Sequence, residues 1–142
     1  MQPMAAKFVV WHELDADRPV VLLAEDEPFI RFDIADELRQ LGCQVIEASN
    51  ADEAIDVVES TARIDLVVTD VRMPGNRDGL DVARAVRQGR PGLKVVVMSG
   101  HLAPNDEHNL LIDLFVSKPT PSDQLATAIM EMIEASPANR NG

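Results

Sequence analysis

Short apolar runs alternate with longer amphipathic segments along most of this chain. The first run, residues 20–24, is apolar at every position, which is typical of a strand buried on both faces of a sheet. Comparable runs predict four further strands, at residues 43–48, 66–68, 93–98 and 113–117.

Apolar positions at intervals of three or four residues predict helices between these strands. The first helix should end at Gly42, because glycine is common just beyond a helix C-terminus. Asn50 can cap the second helix. The apolar faces predicted for these two helices are Phe29, Ile30, Ile34, Leu38 and Leu41 in the first, and Ala51, Ala54, Ile55 and Val58 in the second.

Two more helices follow from the same spacing. The last of them should open at Pro121 or at Ser122. Their predicted apolar stripes are Leu80, Ala83 and Val86 in the third helix, and Leu125, Ala128, Ile129, Met132 and Ile133 in the last. Between the fourth and fifth strands, residues 102–112 contain Pro104 and only a late apolar cluster, so a fourth helix there should be short.

Strands that alternate with helices imply βαβ units and a parallel sheet. Right-handed crossovers then favour an α/β fold with a doubly wound, five-stranded parallel sheet and helices on both faces. We expect this domain to span residues 20–135. We also expect residues 1–19 to form an N-terminal extension that packs in part through Trp11, and residues 136–142 to form a polar C-terminal tail.

Composition narrows the class of protein. The chain has 142 residues, 46% of them hydrophobic, which suits one globular domain. Cys43 is the only cysteine, so a disulfide scaffold is excluded and a reducing, cytoplasmic location is expected. No apolar run approaches a membrane span. The net charge of −11 argues against direct DNA binding, which needs clustered basic residues.

Polar side chains follow four of the five predicted strands. Glu25 and Asp26 follow the first strand, Asp70 the third, Ser99 the fourth and Lys118 the fifth. In open α/β sheets, ligands bind outside the carboxyl ends of the strands. Clustered carboxylates attract Mg²⁺, a carboxylate can accept a phosphoryl group, and a lysine with a hydroxyl can hold the phosphoryl oxygens. No glycine pattern indicates a bound nucleotide cofactor.

These residues, taken in order, resemble the receiver domain of two-component response regulators. The similarity is carried by Glu25-Asp26, by Asp70-Val71-Arg72-Met73-Pro74-Gly75, by Ser99-Gly100 and by Lys118-Pro119, and it covers about residues 20–135. It implies the flavodoxin-like strand order 2-1-3-4-5, for which a receiver protein is a standard example.

The resemblance implies a metal site. Asp26 and Asp70 would bind Mg²⁺ directly, the backbone carbonyl of Arg72 would be a further ligand, and Glu25 would act through a metal-bound water. Mn²⁺ would be able to substitute for Mg²⁺.

The resemblance also implies roles in phosphoryl transfer. Asp70 would accept the phosphoryl group, Lys118 would pair with it, and Ser99 would donate a hydrogen bond to a phosphoryl oxygen. Ser99 and Phe115 would change position as a switch, and the Lys118–Pro119 peptide bond would be cis.

Two departures from the family pattern concern loops. Only 19 positions separate Ser99 from Lys118, fewer than is usual, so the fourth helix should be curtailed. Asn76 and Arg77 make the loop after Gly75 one residue longer than the common form.

The function implied is a phosphorylation-dependent switch. The phosphoryl donor would be a sensor histidine kinase or a histidine phosphotransfer protein. Because only a short polar tail follows the last helix, we expect the signal to leave through contacts with an unidentified downstream protein rather than through an attached output domain. A homodimer is compatible with this expectation.

Two alternatives come from other classes of protein. A phosphatase of the haloacid-dehalogenase type also uses an aspartate nucleophile, but it needs a second aspartate where this chain has Arg72. An interaction module that works without phosphorylation would not need the acidic set. We therefore expect no turnover enzyme, only a protein that catalyses its own phosphorylation and dephosphorylation.

Overall fold

The computed structural model describes residues 17–100 and 105–135. Within them, five parallel strands form one sheet in the order β2-β1-β3-β4-β5, which confirms the predicted fold and strand order. The strands are β1 (Val20–Ala24), β2 (Gln44–Ala48), β3 (Leu66–Asp70), β4 (Lys94–Ser99) and β5 (Leu114–Ser117). The helices are α1 (Pro28–Gln40), α2 (Ala51–Glu59), α3 (Gly79–Gly89), α4 (Asp106–Asn109) and α5 (Ser122–Ala135).

The sheet separates two apolar layers. On one face, α1 and α5 pack on side chains such as Leu23, Val68 and Val96. On the other face, α2 and α3 pack on Leu22, Val67 and neighbouring side chains. Since both faces are covered, β1 and β3 are buried along their whole length. None of the described helices is both long enough and apolar enough to cross a bilayer.

The helix ends follow local sequence signals. Asn50 accepts a hydrogen bond from the amide of Glu53 and caps α2, as predicted. Gly42 follows α1 with a φ of +97°, a conformation that favours glycine. The side chain of Glu27 caps α1 by accepting from the amides of Phe29 and Ile30.

The predicted strand bounds are wrong by one or two residues. β3 continues through Asp70 and β4 through Ser99, so both polar residues end their strands instead of following them. Cys43 lies just before β2 and is buried, with its sulfur 3.2 Å from that of Met130. Asp113 precedes β5, where its amide donates to the carbonyl oxygen of Val95.

The apolar face predicted for α1 is only partly buried. Ile34 and Leu38 are buried as expected, together with Ala35, but Phe29 is 83% exposed and Leu41 is 46% exposed. Phe29 is five residues before Ile34, which places it about 140° away around a helix with 3.6 residues per turn. Leu41 lies beyond the end of the helix. The predicted apolar face is therefore wrong at the two ends of the helix.

The stripe predicted for α5 needs a smaller correction. Leu125, Ile129 and Ile133 are buried as predicted, but Ala126 is the buried alanine, whereas Ala128 is only half-buried. The helix opens at Ser122 rather than at Pro121. Its N-terminus is tied to α1 by a hydrogen bond of 2.6 Å from the Ser122 hydroxyl to Asp33.

The segment between β4 and β5 is curtailed, as the spacing of Ser99 and Lys118 predicted. The described part of it contains only a four-residue helix, α4. Arg87 of α3 holds the return to β5, because its guanidinium donates to the carbonyl oxygen of Leu111 and to the carboxylate of Asp113. Of the residues singled out from the sequence, Trp11 and Pro104 lie outside the described residues, which leave out positions 1–16, 101–104 and 136–142.

Gly79→Ala should destabilise the fold strongly. A Cβ at position 79 would collide with the backbone carbonyl of Asp70 and crowd the Thr69 hydroxyl. Overpacking usually costs about 1–3 kcal/mol, and a rigid strand end cannot yield, so we expect a loss near the top of that range in urea unfolding. Gly89→Ala is the matched control, because nothing lies within 4 Å of its added methyl group. Equal losses in the two variants would show that the close approach at Gly79 is unimportant.

Candidate functional site

The polar residues predicted to lie at strand ends meet at one edge of the sheet. Glu25 directly follows β1, Asp70 ends β3, Ser99 ends β4 and Lys118 directly follows β5. β1 lies beside β3, and β4 lies between β3 and β5, so parallel pairing carries all four groups to the same edge. The amide of Lys118 donates to the carbonyl oxygen of Ser99 at 3.0 Å, which joins the last two strand ends.

Lys118 bridges the two buried carboxylates. Its Nζ lies 2.8 Å from Glu25 Oε1 and 2.8 Å from Asp70 Oδ2. Burial alone would lower the pKa of Lys118, but the hydrogen bonds to Asp70 and Glu25 outweigh it, and the net shift of this pKa is upward. The ammonium is therefore held in its charged form, directed at Asp70.

Glu25 is the most deeply buried carboxylate of the site. Its side chain is fully buried, and Oε2 has no hydrogen-bond partner within the described parts of the chain. Burial raises the pKa of Glu25 to about 7, and the neighbouring charge of Asp70 adds to the shift, although the hydrogen bond from Lys118 opposes it. A buried carboxylate oxygen without a donor is costly unless a cation or water satisfies it.

Three carboxylates form a cluster that suits a divalent cation. One oxygen from each of Glu25, Asp26 and Asp70 lies within 4.8 Å of the others. Asp26 is exposed, whereas the other two are buried, so the cluster opens to solvent on one side. Oxygen ligands with an open side fit Mg²⁺, which keeps several of its waters. The residues present therefore fit the expected metal.

A cavity of about 510 Å³ opens beside Asp70. It is lined by Asp70, Arg72, Ser99, Gly100, Lys118 and Pro119. Ser99 is 4% exposed, and the Lys118–Pro119 bond is cis, as predicted. The cavity gives a phosphoryl-sized group access to Asp70, with Lys118 and Ser99 on its walls.

Phe115 does not line this cavity. It lies in β5 opposite Val97 of β4, is half-buried, and packs against the apolar layer formed by α2 and α3. Phe115 therefore lies outside the site. The structure brings together the other members of the predicted set, which are Glu25, Asp26, Asp70, Arg72, Ser99 and Lys118.

Sequence reasoning missed residues that support Asp70 and Glu25 from outside. The buried Thr69 hydroxyl donates to the carbonyl oxygen of Asp70 at 2.9 Å, and Gly79 lies against the same carbonyl. The Arg31 guanidinium donates to the carbonyl oxygen of Glu25 at 2.8 Å. Glycine just after the Asp78 cap of α3 was a readable signal for a close approach, but nothing local marked Arg31.

The fold and the site together define a class of protein. It is a doubly wound α/β protein with a cluster of carboxylates at the strand ends that suits a metal ion, and a lysine and a hydroxyl lie beside this cluster. Such a site suits phosphoryl chemistry on an aspartate.

A family model for the response regulator receiver domain matches residues 21–130. Since this match spans more than half of the chain, the chain belongs to the response regulator receiver family. Receiver domains of two-component systems accept a phosphoryl group on an aspartate and interact with sensor histidine kinases.

Two curated relatives show the range of proteins that carry such a domain. Sensor kinase CckA of Brucella abortus is 36% identical over 118 residues, which are 80% of this chain and 12% of that protein. Transcriptional regulatory protein PdtaR of Mycobacterium tuberculosis is 44% identical over 80 residues, which are 54% of this chain and 38% of that protein. The chain therefore spans well under half the length of these relatives.

Two solved receiver structures match most of this chain and nearly all of their own length. A response regulator receiver protein from Sinorhizobium medicae is 36% identical, with a TM-score of 0.76 over 84% of this chain and 97% of that one. Response regulator protein TrrA from Thermotoga maritima, solved in complex with Mg²⁺-BeF, is 28% identical, with a TM-score of 0.72 over 80% and 98% of the two chains.

Proposed function

We propose that this chain is a phosphorylation-dependent signalling switch in which Asp70 accepts the phosphoryl group. The observation that carries the proposal is the placement of Lys118, whose ammonium contacts Asp70 and Glu25 at 2.8 Å each beside the exposed carboxylate of Asp26. The proposed nucleophile, the ammonium of Lys118 and the carboxylate oxygens that suit a metal thus lie together at one edge of the sheet. We assign the switch to residues 20–135, with 1–19 as an extension and 136–142 as a tail.

The proposed transfer is a direct displacement at phosphorus. An oxygen of Asp70 forms a bond to the phosphorus of a phosphohistidine as the phosphorus–nitrogen bond breaks. The imidazole nitrogen keeps the electron pair and takes a proton from solvent. Lys118 donates to the phosphoryl oxygens in the product. Hydrolysis by water later releases phosphate and restores Asp70.

The metal ligands would be Asp26, Asp70 and the carbonyl oxygen of Arg72, with Glu25 acting through a water. When bound, Mg²⁺ supplies positive charge that neutralises the phosphoryl oxygens. Mn²⁺ should substitute, because it accepts the same oxygen ligands. The complex of TrrA with Mg²⁺-BeF supports the choice of metal by similarity.

Incubation with acetyl phosphate and Mg²⁺ tests the proposal. Intact-mass spectrometry should show one added phosphoryl group that is stable in acid and labile in base. Mn²⁺ should restore labelling after chelation of Mg²⁺. If no metal-dependent phosphoryl group appears, the proposed function is wrong.

We propose that the chain has no turnover of external phosphate esters. Arg72 stands two residues after Asp70, where a haloacid-dehalogenase-type phosphatase has its acid, and a guanidinium does not release a proton near neutral pH. A chromogenic phosphate ester should therefore not be hydrolysed above background. Steady hydrolysis that is lost in Asp70→Asn would favour the phosphatase instead.

The donor should be a sensor histidine kinase or a histidine phosphotransfer protein that covers the start of α1. Phe29 is 83% exposed and Phe32 is 65% exposed, and α1 begins two residues after Asp26. The two residues are three apart on the same helix, and a contiguous apolar patch on a protein surface is typical of a protein-contact site. The double variant Phe29→Ser/Phe32→Ser should slow transfer from a phosphorylated histidine protein by about tenfold or more, since about 1.5 kcal/mol, the low value for burying one such side chain, already corresponds to roughly tenfold.

The same double variant should be labelled normally by acetyl phosphate, which needs no protein surface. Equal slowing with both donors would point to a damaged site rather than a docking surface. Substitution of exposed Leu110, which is 79% exposed on the segment after α4, serves as the control for loss of apolar surface elsewhere.

We propose that phosphorylation alters the surface formed by β5 and α5, through which an unidentified downstream protein or a second copy of this chain associates. Ser99 pairs in register with Ser117 of β5, and Phe115 lies in the same strand, so movement of Ser99 toward the phosphoryl group is transmitted to β5. Met130 and Met132 of α5 are half-buried and adaptable in shape.

Hydrogen exchange with and without beryllium fluoride tests this switch. Amides in residues 113–134 should change protection when the mimic binds. The change should be modest, because such couplings amount to about 1–3 kcal/mol. Changes confined to the loops after Asp70 and Ser99 would show that the signal does not reach this face.

A further inference from the structure

Arg31 links the acidic loop to the neighbouring strand. Its Nη1 donates to the backbone carbonyl oxygen of Glu25 at 2.8 Å, and its Nε lies 3.3 Å from Glu47 Oε1. The side chain is only 20% exposed. The guanidinium therefore holds a backbone atom of the loop from which both Glu25 and Asp26 project.

The loop is held from its other side by the sheet. The amide of Glu25 donates to the carbonyl oxygen of Ala48, the last residue of β2, at 3.0 Å. Glu47 lies one residue earlier in β2, in register with Leu23 of β1. Arg31 and β2 thus fix the amide and the carbonyl oxygen of Glu25 against the same strand.

Glu47 is shared by two arginines, only one of which touches the loop. Its Oε2 lies 3.1 Å from Nη2 of Arg39, which also donates to the carbonyl oxygen of Val45. Neither contact of Arg39 involves Glu25 or Asp26. The two arginines therefore have equal charge and a common partner, and differ in the hydrogen bond to the loop.

The location of Arg31 is unfavourable for the helix itself. It is the fourth residue of α1, and a cation near a helix N-terminus opposes the helix dipole. No acidic residue lies in the first turn of α1 to offset it. A residue that breaks a local rule is often held by a specific contact, here the one with the Glu25 carbonyl.

We propose that Arg31 is a positioning residue for the metal site. By holding the Glu25 carbonyl, it fixes the backbone that aims the carboxylates of Glu25 and Asp26 toward Asp70. This inference rests on the proposed function, since it concerns the affinity of the same carboxylate cluster for Mg²⁺.

Geometry and charge predict opposite effects when Arg31 is removed. Loss of a nearby cation makes the cluster more negative and, by Coulomb attraction alone, tightens Mg²⁺ binding. Loss of the hydrogen bond to the Glu25 carbonyl frees the loop and weakens Mg²⁺ binding. Partners that orient metal ligands from outside typically change affinity by about 10–100-fold. The sign of the change therefore separates a positioning role from a simple charge effect.

Isothermal titration with Mg²⁺ on Arg31→Ala, Arg39→Ala and the unaltered chain provides the test. Arg31→Ala should raise the dissociation constant by about tenfold. Arg39→Ala, the matched control, should leave it unchanged or slightly lower. Arg31→Lys should recover part of the affinity, because an ammonium can donate one hydrogen bond to the Glu25 carbonyl but lacks the guanidinium fork that also holds Glu47. Binding by Arg31→Ala as tight as by Arg39→Ala would overturn the proposal.

A second measurement needs no metal. In the presence of a chelator, the amide of Glu25 should exchange about tenfold faster in Arg31→Ala than in Arg39→Ala, while urea unfolding shows similar global stability in the two variants. Equal exchange would also overturn the positioning role. If the unaltered chain fails to bind Mg²⁺, the proposed function fails, and the exchange rates still decide whether Arg31 holds the loop.

Discussion

Asp70→Asn should abolish phosphorylation by acetyl phosphate. Asparagine has nearly the same shape, and its oxygen can still accept a hydrogen bond from Lys118, so the fold around the strand end should survive. A neutral amide, however, cannot attack phosphorus to form an acyl phosphate. Intact-mass spectra in Mg²⁺ should therefore show full labelling of the unaltered chain and none of the variant.

Asp56→Asn provides the control for loss of one carboxylate. Asp56 lies on the exposed side of α2, away from the strand edge, and its substitution should leave labelling complete. Labelling of Asp70→Asn at the rate of the unaltered chain would show that another residue is the acceptor. Loss of labelling in both variants would indicate that overall charge, rather than the nucleophile at Asp70, governs the reaction.

The central sheet was the most predictable part of the molecule. Residues 20–24 are apolar without interruption, which is typical of a strand covered on both faces. The strand-end positions of Glu25, Asp70 and Lys118 then followed from parallel pairing, because polar residues that end successive parallel strands meet at one edge. The short spacing between Ser99 and Lys118 similarly indicated a reduced α4.

The features that could not be predicted depend on contacts between distant segments. Phe29 is apolar and was assigned to the buried face of α1, yet among the described residues its side chain stays exposed. Arg31 is an ordinary helical arginine in the sequence, and its role appears only when β2 brings Glu47 beside it. The burial of Glu25 likewise arises from the packing of strand ends, which periodicity does not report.

Asp26→Ala should weaken Mg²⁺ binding much more than Glu25→Gln does. Asp26 is the exposed carboxylate of the cluster and is assigned as a direct ligand, so its loss should exceed the about 10–100-fold effect typical of residues that only support a ligand. Glu25→Gln keeps an oxygen that can accept from Lys118, and a residue acting through water should matter less. Calorimetric titration of both variants measures the difference.

Asp26→Ala should stabilise the metal-free protein, although it weakens Mg²⁺ binding. Three carboxylates within 4.8 Å of one another repel when no cation is bound, and Lys118 contacts only Glu25 and Asp70 among them. Removal of Asp26 relieves this repulsion, so Asp26→Ala should unfold at higher urea than the unaltered chain in the presence of a chelator. Excess Mg²⁺ should reverse the order, because only the unaltered chain gains stability from binding the ion. An unchanged Mg²⁺ affinity in Asp26→Ala would remove Asp26 from the ligand set, and lower stability without metal would mean that repulsion does not dominate this cluster.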